Sequence, residues 1–236
     1  VLKKYVPLEY VDLVTDLLLK YRVVFKIVKP RKTKLGDFRA GIQGEKHQIT
    51  VNGDLNKYSF LITTLHEFAH LITYDEYGRR AAPHGKEWKD NFSMLLVPMI
   101  RIGHLPKPIE SALMNSLVNV KASSCTDVNL QRVLLTFDER NDNLTTLESL
   151  EKNSIFELNG RLFEKGVLRR TRFMCKEQHG KRYFLVNRLA MVKEFKNELT
   201  RNVNHKFSTV GEKEIYGDRQ DKYLKELYIH YAVNWR

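Results

Sequence analysis

Residues 63–88 read TTLHEFAHLITYDEYGRRAAPHGKEW and contain three of the eight histidines of the chain. Two of them, His66 and His70, lie on either side of Glu67, and His84 follows beside a proline and a glycine. Histidines that cluster in this way usually bind a metal or transfer protons, whereas a structural histidine is more often isolated. The secondary structure around this stretch decides whether the three imidazoles can meet.

The stretch that contains the first two histidines has the apolar spacing of a helix. Asn56 precedes it as a candidate N-cap, and the helix is predicted to run from residue 57 to residue 74. His66 and His70 are four positions apart, so both imidazoles leave the same face of such a helix. The opposite face is predicted to pack in the core through Phe60, Leu61, Leu65, Phe68, Leu71 and Ile72.

The rest of the first 138 residues predicts an α+β domain. Glycine and proline in 75–85 predict a loop that ends at His84. Strands are predicted at 23–29, 36–42 and 47–52, where they would form a small three-stranded sheet. Further helices are predicted at 7–22, 86–96, 109–118 and 128–137.

The second part of the chain differs in composition and in predicted secondary structure. The polar segment 139–153 predicts a linker, and 154–192 predicts a small β-rich module with hairpin turns at Asn159-Gly160 and at His179-Gly180. Residues 193–236 form a C-terminal extension with helical periodicity at 221–233.

Residues 66–70 match the H-E-x-x-H pattern of zinc hydrolases. In this pattern two histidines bind zinc, and a third protein ligand leaves one coordination position for water. His84 is the predicted third ligand, and Glu87 is the alternative, because some zinc sites use a downstream glutamate. Glu67 is turned by about 100° from His66 around the helix, so it can act on that water as a general base without binding the ion. One catalytic Zn²⁺ is therefore predicted.

The formal net charge of +12 is concentrated outside the middle of the chain. Residues 1–35 and 151–199 each carry a net charge of +6, whereas residues 36–150 carry −2 and residues 200–236 carry +2. Basic flanks of this kind are compatible with a polyanion partner such as DNA, and equally with a solvated surface.

Cysteine content and hydropathy restrict the class of protein. Cys125 and Cys175 are too few for a disulfide framework or a thiolate zinc motif, and both are predicted to be buried thiols. Apolar runs fall short of the ~18 residues that span a bilayer, so no membrane partner is predicted. The sequence starts at Val1 with no signal-peptide pattern, and a cytoplasmic location is expected.

The β-rich module combines cations with aromatic residues. If neighbouring strands bring the cations together beside exposed rings, the surface would suit single-stranded nucleic acid. The alternative is that Phe173, Tyr183 and Phe184 form the core of the module and the cations its solvated face. The candidate nucleic-acid contacts are Arg169, Arg170, Arg172, Lys181 and Arg182.

The sequence over residues 8–100 resembles the SprT-like metalloproteases, whose members include the Spartan proteases that act on DNA–protein crosslinks. The resemblance rests on LHEFAHLITY, on PHGKEWK, and on LGDFR followed by HQITVN. It implies a zincin-like fold in which His66, His70 and His84 bind zinc, Glu67 is the catalytic base, and the GDFRAG strand borders the cleft. Many such proteins continue into a cysteine zinc ribbon, but residues 154–192 contain only Cys175, so a second structural zinc is not expected.

Three functions are compatible with these features. The leading interpretation is a zinc-dependent metallopeptidase that hydrolyses peptide bonds with a water activated by Glu67, on substrates that include nucleic-acid-associated proteins. A binding protein for nucleic acid with a structural or weakly active zinc site is the main alternative, and a hydrolase of small amides is the third. A structural site has no need of a carboxylate beside an open metal position, so Glu67 distinguishes the first two.

Overall fold

The computed structural model describes residues 1–31, 34–42, 44–118, 127–139 and 143–195. Its helices and strands all belong to one compact unit, Val1–Glu194, and their mixture confirms the predicted α+β class. The helices are α1 (Leu2–Tyr5), α2 (Val11–Tyr21), α3 (Lys57–Tyr77), α4 (Lys86–Ile102), α5 (Lys107–Val118) and α6 (Val128–Leu135). The strands are β1 (Val24–Val28), β2 (Gly36–Arg39), β3 (Gln48–Asn52), β4 (Thr145–Thr146), β5 (Ile155–Leu158), β6 (Arg161–Arg169), β7 (Arg172–Glu177), β8 (Tyr183–Asn187) and β9 (Met191–Glu194).

The first sheet contains three strands in the order β1-β3-β2. β1 runs parallel to the central strand β3, and β2 runs antiparallel to it. These are the three strands that the sequence predicted, each one somewhat shorter than expected. Helix α3 packs on β2 and β3, so the edge strand β2 lies beside the helix that carries the H-E-x-x-H residues.

A first hydrophobic core surrounds α3. Val14 of α2, Ile49 of β3 and Leu96 of α4 pack in the same cluster. Burial of one such side chain stabilises a fold by about 1.5–3 kcal/mol. Because these side chains come from three different elements, they hold α3 in place from several sides. The apolar residues predicted to face the core are all buried, with at most 8% of their surface exposed: Phe60, Leu61, Leu65, Phe68, Leu71 and Ile72.

The second sheet contains six strands in the order β4-β9-β5-β6-β7-β8. Asn159 and Gly160 join β5 to β6 with φ angles of 54° and 75°, as the tight hairpin predicted from this dipeptide requires. A separate core lies against this sheet, and Cys175 is buried in it as predicted. The core residues are Leu147, Leu150, Phe156, Phe163, Phe173, Cys175, Val186 and Val192.

Strand β6 contains a glycine in its interior. The strand runs through Gly166 to Arg169, with an irregularity in its pairing with β7 between Lys165 and Leu168. A Cβ atom at residue 166 would overlap the carbonyl oxygen of Met174, so glycine is needed here for close approach of two strands. It marks a β-bulge rather than the end of a strand.

The polar segment 139–153 is more ordered than a linker where the structure describes it. It contributes β4 and a short 3-10 turn, and this turn places Leu147 and Leu150 in the second core. The segment has three leucines, Leu144, Leu147 and Leu150, among twelve polar residues, and this polar composition is why the sequence predicted a linker.

Glu148 connects the second core to the helices of the first. Arg132 of α6 donates from Nε to Oε1 at 2.6 Å and from Nη2 to Oε2 at 3.0 Å, and Arg188 donates from Nε to Oε2 at 2.7 Å. The hydrogen bonds from Arg132, followed by those from Arg188, hold the pKa of the Glu148 carboxyl below its usual range. Two guanidinium groups from different parts of the chain thus share one carboxylate.

None of the helices in the described ranges is long and apolar enough to cross a membrane. Cys125 and the C-terminal extension beyond residue 195, including the helix predicted at 221–233, lie outside the described residues.

Candidate metal centre

Helix α3 begins at a well-formed cap. The side-chain oxygen of Asn56 accepts hydrogen bonds from the backbone N–H groups of Tyr58 at 3.1 Å and Ser59 at 2.9 Å, which confirms the predicted N-cap. The helix then runs for 21 residues to Tyr77, three residues past its predicted end. It carries His66, Glu67 and His70 through its middle, where the surrounding core holds the backbone rigidly.

His84 reaches the same place from a different element. A 3-10 turn at Gly78–Arg80 follows α3, and His84 lies just before Gly85, the N-cap residue of α4. Its φ angle is 57°, in the left-handed region that residues with a side chain seldom adopt. Such strain is found mainly where the surrounding structure holds a residue for a function, and here it directs the imidazole back towards α3.

The three imidazoles converge through their Nε2 atoms. The Nε2 atoms of His66 and His70 are 3.0 Å apart, those of His70 and His84 3.1 Å apart, and those of His84 and His66 3.3 Å apart. In a tetrahedral zinc site with bonds of 2.0–2.1 Å, ligand nitrogens are about 3.3 Å apart. The three side chains form a group that could hold a metal ion, and nitrogen ligands with this spacing fit zinc.

Trp88 forms the apolar floor beneath this group, and the sequence analysis did not identify it. The indole is fully buried, and its ring lies 4.7 Å from the ring of His66, 5.3 Å from that of His70 and 4.7 Å from that of His84. Phe92 stacks on the other side of Trp88 at 4.9 Å. Trp88 lies in the first turn of α4, and no local pattern in the sequence indicated that it would meet His66 and His70.

Burial keeps the imidazoles neutral. It lowers the pKa of His66 to about 3 and that of His70 to about 4, and the neighbouring histidines act in the same direction. Burial also lowers the pKa of His84, the most exposed of the three. A neutral imidazole presents a nitrogen lone pair, which is the form that binds a metal.

Glu67 follows His66 on α3, and its carboxyl group is buried. Only 6% of its surface is exposed, and the backbone N–H of Phe38 favours its ionised form. Burial raises its pKa to about 8, and Asp37 adds to the effect, whereas Arg31 and Lys34 oppose it. A cation held by the histidines would act in the opposite direction, because a positive charge nearby favours the carboxylate.

Gly36 makes room for this carboxyl group. A Cβ atom at residue 36 would overlap Oε1 of Glu67 and would lie 2.8 Å from Cγ2 of Thr63. The edge strand β2 can therefore approach α3 only with glycine at this position. Glu67 is confined between the helix that carries it and the edge of the first sheet.

Asp37 is a second carboxylate at this edge. Nζ of Lys34 lies 2.7 Å from its Oδ1, and Nε of Arg39 lies 3.1 Å from its Oδ2. The hydrogen bonds from Lys34 and Arg39 outweigh burial and lower the pKa of Asp37. The site thus combines an ionised carboxylate on β2 with a carboxyl of raised proton affinity on α3.

Glu87, the alternative third ligand, is not part of the group of potential ligands found among the described residues. It lies in the first turn of α4, where a carboxylate stabilises the positive end of the helix dipole. The structure brings His84, rather than Glu87, to His66 and His70.

The basic residues predicted to form one surface on the β-rich module lie in two places. Arg169 pairs with Arg172 where β6 meets β7, and Arg170 is in the turn between them with a φ of 56°. Lys181 and Arg182 lie in the turn at the other end of β7, six residues or about 20 Å away. The prediction that a hairpin brings these two groups side by side is wrong, because the antiparallel register pairs Arg172 with Asn187 and Lys176 with Tyr183, so the two groups lie at opposite ends of the β7–β8 hairpin.

The aromatic residues of this module divide between its core and its surface. Phe173 is 9% exposed and belongs to the second core, against which Phe184 is partly buried. Tyr183 is 60% exposed, and its neighbour on the same face, Leu185, is 56% exposed. Phe173 and Phe184 thus pack in or against the core, whereas the ring of Tyr183 is on the surface.

Comparison of the chain with protein-family models, with curated proteins and with solved structures found no match.

Proposed function

We propose that the protein is a zinc-dependent metallopeptidase of the SprT-like family with a zincin-like catalytic domain. The observation that carries this proposal is the triangle of Nε2 atoms from His66, His70 and His84, together with the buried Glu67 that follows His66 on α3. Three neutral nitrogen ligands leave one coordination position of a tetrahedral ion open, which is typical of catalytic zinc.

When bound, zinc would supply a Lewis acid and lower the pKa of a water molecule. Glu67 then accepts a proton from the water that attacks the peptide carbonyl and delivers it to the leaving nitrogen. Its restricted position between Gly36 and the Phe38 N–H keeps the carboxylate oriented for both transfers. Trp88 excludes water from the buried side of the three imidazoles.

The position of β2 favours a peptide as the substrate. As an edge strand beside Glu67, β2 offers backbone groups to which an extended peptide can add as a further strand. A hydrolase of small amides would have no use for such an edge. A structural zinc site would not require a carboxyl group buried next to the ligands, so the peptidase is preferred over a binding protein.

Removal of the metal tests this proposal. Dialysis of the purified full chain against a chelator is expected to abolish cleavage of denatured casein, and one equivalent of Zn²⁺ should restore it. Metal analysis before and after dialysis gives the stoichiometry. Cleavage that persists in protein shown to contain no metal would exclude a zinc peptidase.

A second function, binding of single-stranded nucleic acid, is supported by the outer face of β7 and β8. Cross-strand pairs place Met174 beside Leu185 and Lys176 beside Tyr183, and the exposed Tyr183 is available for stacking on a base. Basic groups lie at both ends of this face, Arg169, Arg170 and Arg172 at one end and Lys181 and Arg182 at the other. Cations at both ends suit a nucleic-acid strand that crosses the face, rather than a single phosphate.

On this proposal the peptidase acts on proteins associated with nucleic acid, and the buried free thiol of Cys175 is in keeping with the cytoplasm.

The affinity of the chain for single-stranded DNA should fall as salt rises, with a logarithmic slope of about −0.7 for each phosphate neutralised. Replacement of Arg169, Arg170 and Arg172 by serine is expected to flatten this slope without loss of zinc. Exchange of exposed Lys107, which lies on α5, for serine is the control and should leave the slope unchanged. Equal binding by the triple variant and the parent, or no binding by the parent at low salt, would show that the module does not bind DNA through this face.

A further inference from the structure

We infer that His47 positions the edge strand β2 for substrate docking by holding the turn after β2 against α3. This inference deepens the proposed peptidase function and rests on it. His47 is the residue before β3, and its side chain is 23% exposed. It is a positioning residue, since its contacts are with the strand and the helix rather than with the three ligand histidines.

The imidazole of His47 bridges two elements with both nitrogen atoms. The backbone N–H of Gly41 donates to Nδ1 at 2.9 Å, and Nε2 lies 2.9 Å from Oδ1 of Asp75 on α3. Because Nδ1 accepts a hydrogen bond, the proton of the neutral ring is on Nε2, which therefore donates to Asp75. One side chain thus ties the turn after β2 to the last part of α3.

Aromatic packing reinforces this connection. The His47 ring lies 5.6 Å from the ring of Phe38 on β2 and 5.7 Å from that of Tyr74 on α3, and the latter two rings are 5.9 Å apart. Tyr74 is one helical turn beyond His70. The end of β2 is therefore fixed directly beside the part of α3 that carries a predicted metal ligand.

The same contacts connect His47 to the substrate edge and to Glu67. Phe38, which packs on His47, lies two residues after Gly36, where β2 contacts the side chain of Glu67. The carbonyl of His47 accepts from the N–H of Val24 at 2.8 Å, and a side-chain substitution leaves this backbone hydrogen bond in place. Loss of the imidazole is thus expected to loosen the end of β2 while the sheet itself persists. A peptide that pairs with β2 would then bind more weakly, whereas the chemical step would change little, because Glu67 contacts the start of β2 at Gly36 and His47 binds the turn after its end at Gly41.

The kinetic test uses the zinc-loaded full chain and a peptide substrate taken from a site of cleavage in denatured casein. His47→Ala is expected to raise KM about fivefold or more with kcat within about twofold of the parent. Asp75→Ala should raise KM to the same extent. Asp75→Asn should keep a nearly normal KM, because its amide oxygen can still accept the hydrogen bond from His47. The double variant H47A/D75A should have a KM no higher than that of either single variant. His179→Ala, in the β7–β8 turn, is the matched control. A fall in kcat at unchanged KM, or parental kinetics for His47→Ala, would overturn the inference.

Hydrogen exchange separates failure of this inference from failure of the proposed function. In His47→Ala the amides of residues 36–42 should exchange at least about tenfold faster than in the parent, while those of β5 and β6 are unchanged. Unchanged protection at 36–42 would show that His47 does not hold this edge, whatever the enzyme cleaves. If the parent cleaves no peptide but the exchange result is as expected, the peptidase proposal and substrate docking fail together, and only the contact between β2 and α3 is retained.

Discussion

Replacement of Glu67 by glutamine is expected to reduce peptide-bond hydrolysis by about 10² to 10⁴-fold and to leave zinc binding and the fold intact. Glutamine keeps the size of the side chain and can still accept a hydrogen bond from the Phe38 N–H, but it cannot take a proton from water. The metal content, the thermal unfolding transition and the rate of casein cleavage should be measured on the same preparation.

Asp37→Asn is the matched control for this variant. Asp37 is the nearby carboxylate that raises the pKa of Glu67, but it lies on β2 and is paired with Lys34 and Arg39. Its amide variant should retain hydrolysis to within about tenfold of the parent. Equal turnover in Glu67→Gln and the parent would remove Glu67 from the mechanism. A loss of hydrolysis in Asp37→Asn as large as that in Glu67→Gln would show that the proton transfer cannot be assigned to Glu67 alone.

Replacement of His84 by alanine should abolish stoichiometric zinc. Two histidines four residues apart on α3 would remain, and these hold zinc far less tightly than three converging nitrogen atoms. Loss of a residue that only hydrogen-bonds to a metal ligand lowers metal affinity by about 10 to 100-fold, and we expect His84→Ala to lower zinc affinity by more than this. Competition with a chromogenic chelator gives the zinc affinity of each variant.

Glu87→Ala tests the alternative ligand in the same assay. It should keep one zinc per chain, since Glu87 lies in the first turn of α4 and is not part of the histidine group. The His84→Ala variant keeps the backbone strain at residue 84, whose φ is 57°, whereas glycine adopts this φ without strain. The thermal unfolding of His84→Ala should therefore be compared with that of His84→Gly. Retention of zinc in His84→Ala and its loss in Glu87→Ala would reverse the assignment.

The sequence was sufficient to predict the elements that short-range patterns encode. Helix α3 has its N-cap at Asn56, a regular apolar face, and two histidines at a spacing that places them together. Asn159-Gly160 likewise has a strong preference for one kind of turn. In each case a few neighbouring residues determine the outcome, because local geometry and burial on one face favour the same structure.

Features that depend on distant parts of the chain could not be predicted in this way. Gly36 looked like a strand boundary, and only the approach of α3 shows that its missing side chain accommodates Glu67. The separation of Arg170 from Arg182 depends on the register of β7 and β8, which places them at opposite ends of that hairpin. Trp88 and His47 both act across elements, and a single sequence does not indicate which partners they meet.

The carboxylate of Glu148 also determines how this protein can be divided or recombined. It lies in the segment that resembles a linker, yet it holds guanidinium groups from α6 and from the residue after β8, and its neighbours Leu147 and Leu150 belong to the second core. A chimera that joins the metal-binding half to a foreign module before Glu148 would leave Arg132 without its acceptor, and one joined between Leu147 and Leu150 would cut through that core. Exchange of modules is therefore compatible with the fold only when the incoming piece starts before β4 and brings a carboxylate of its own to meet Arg132.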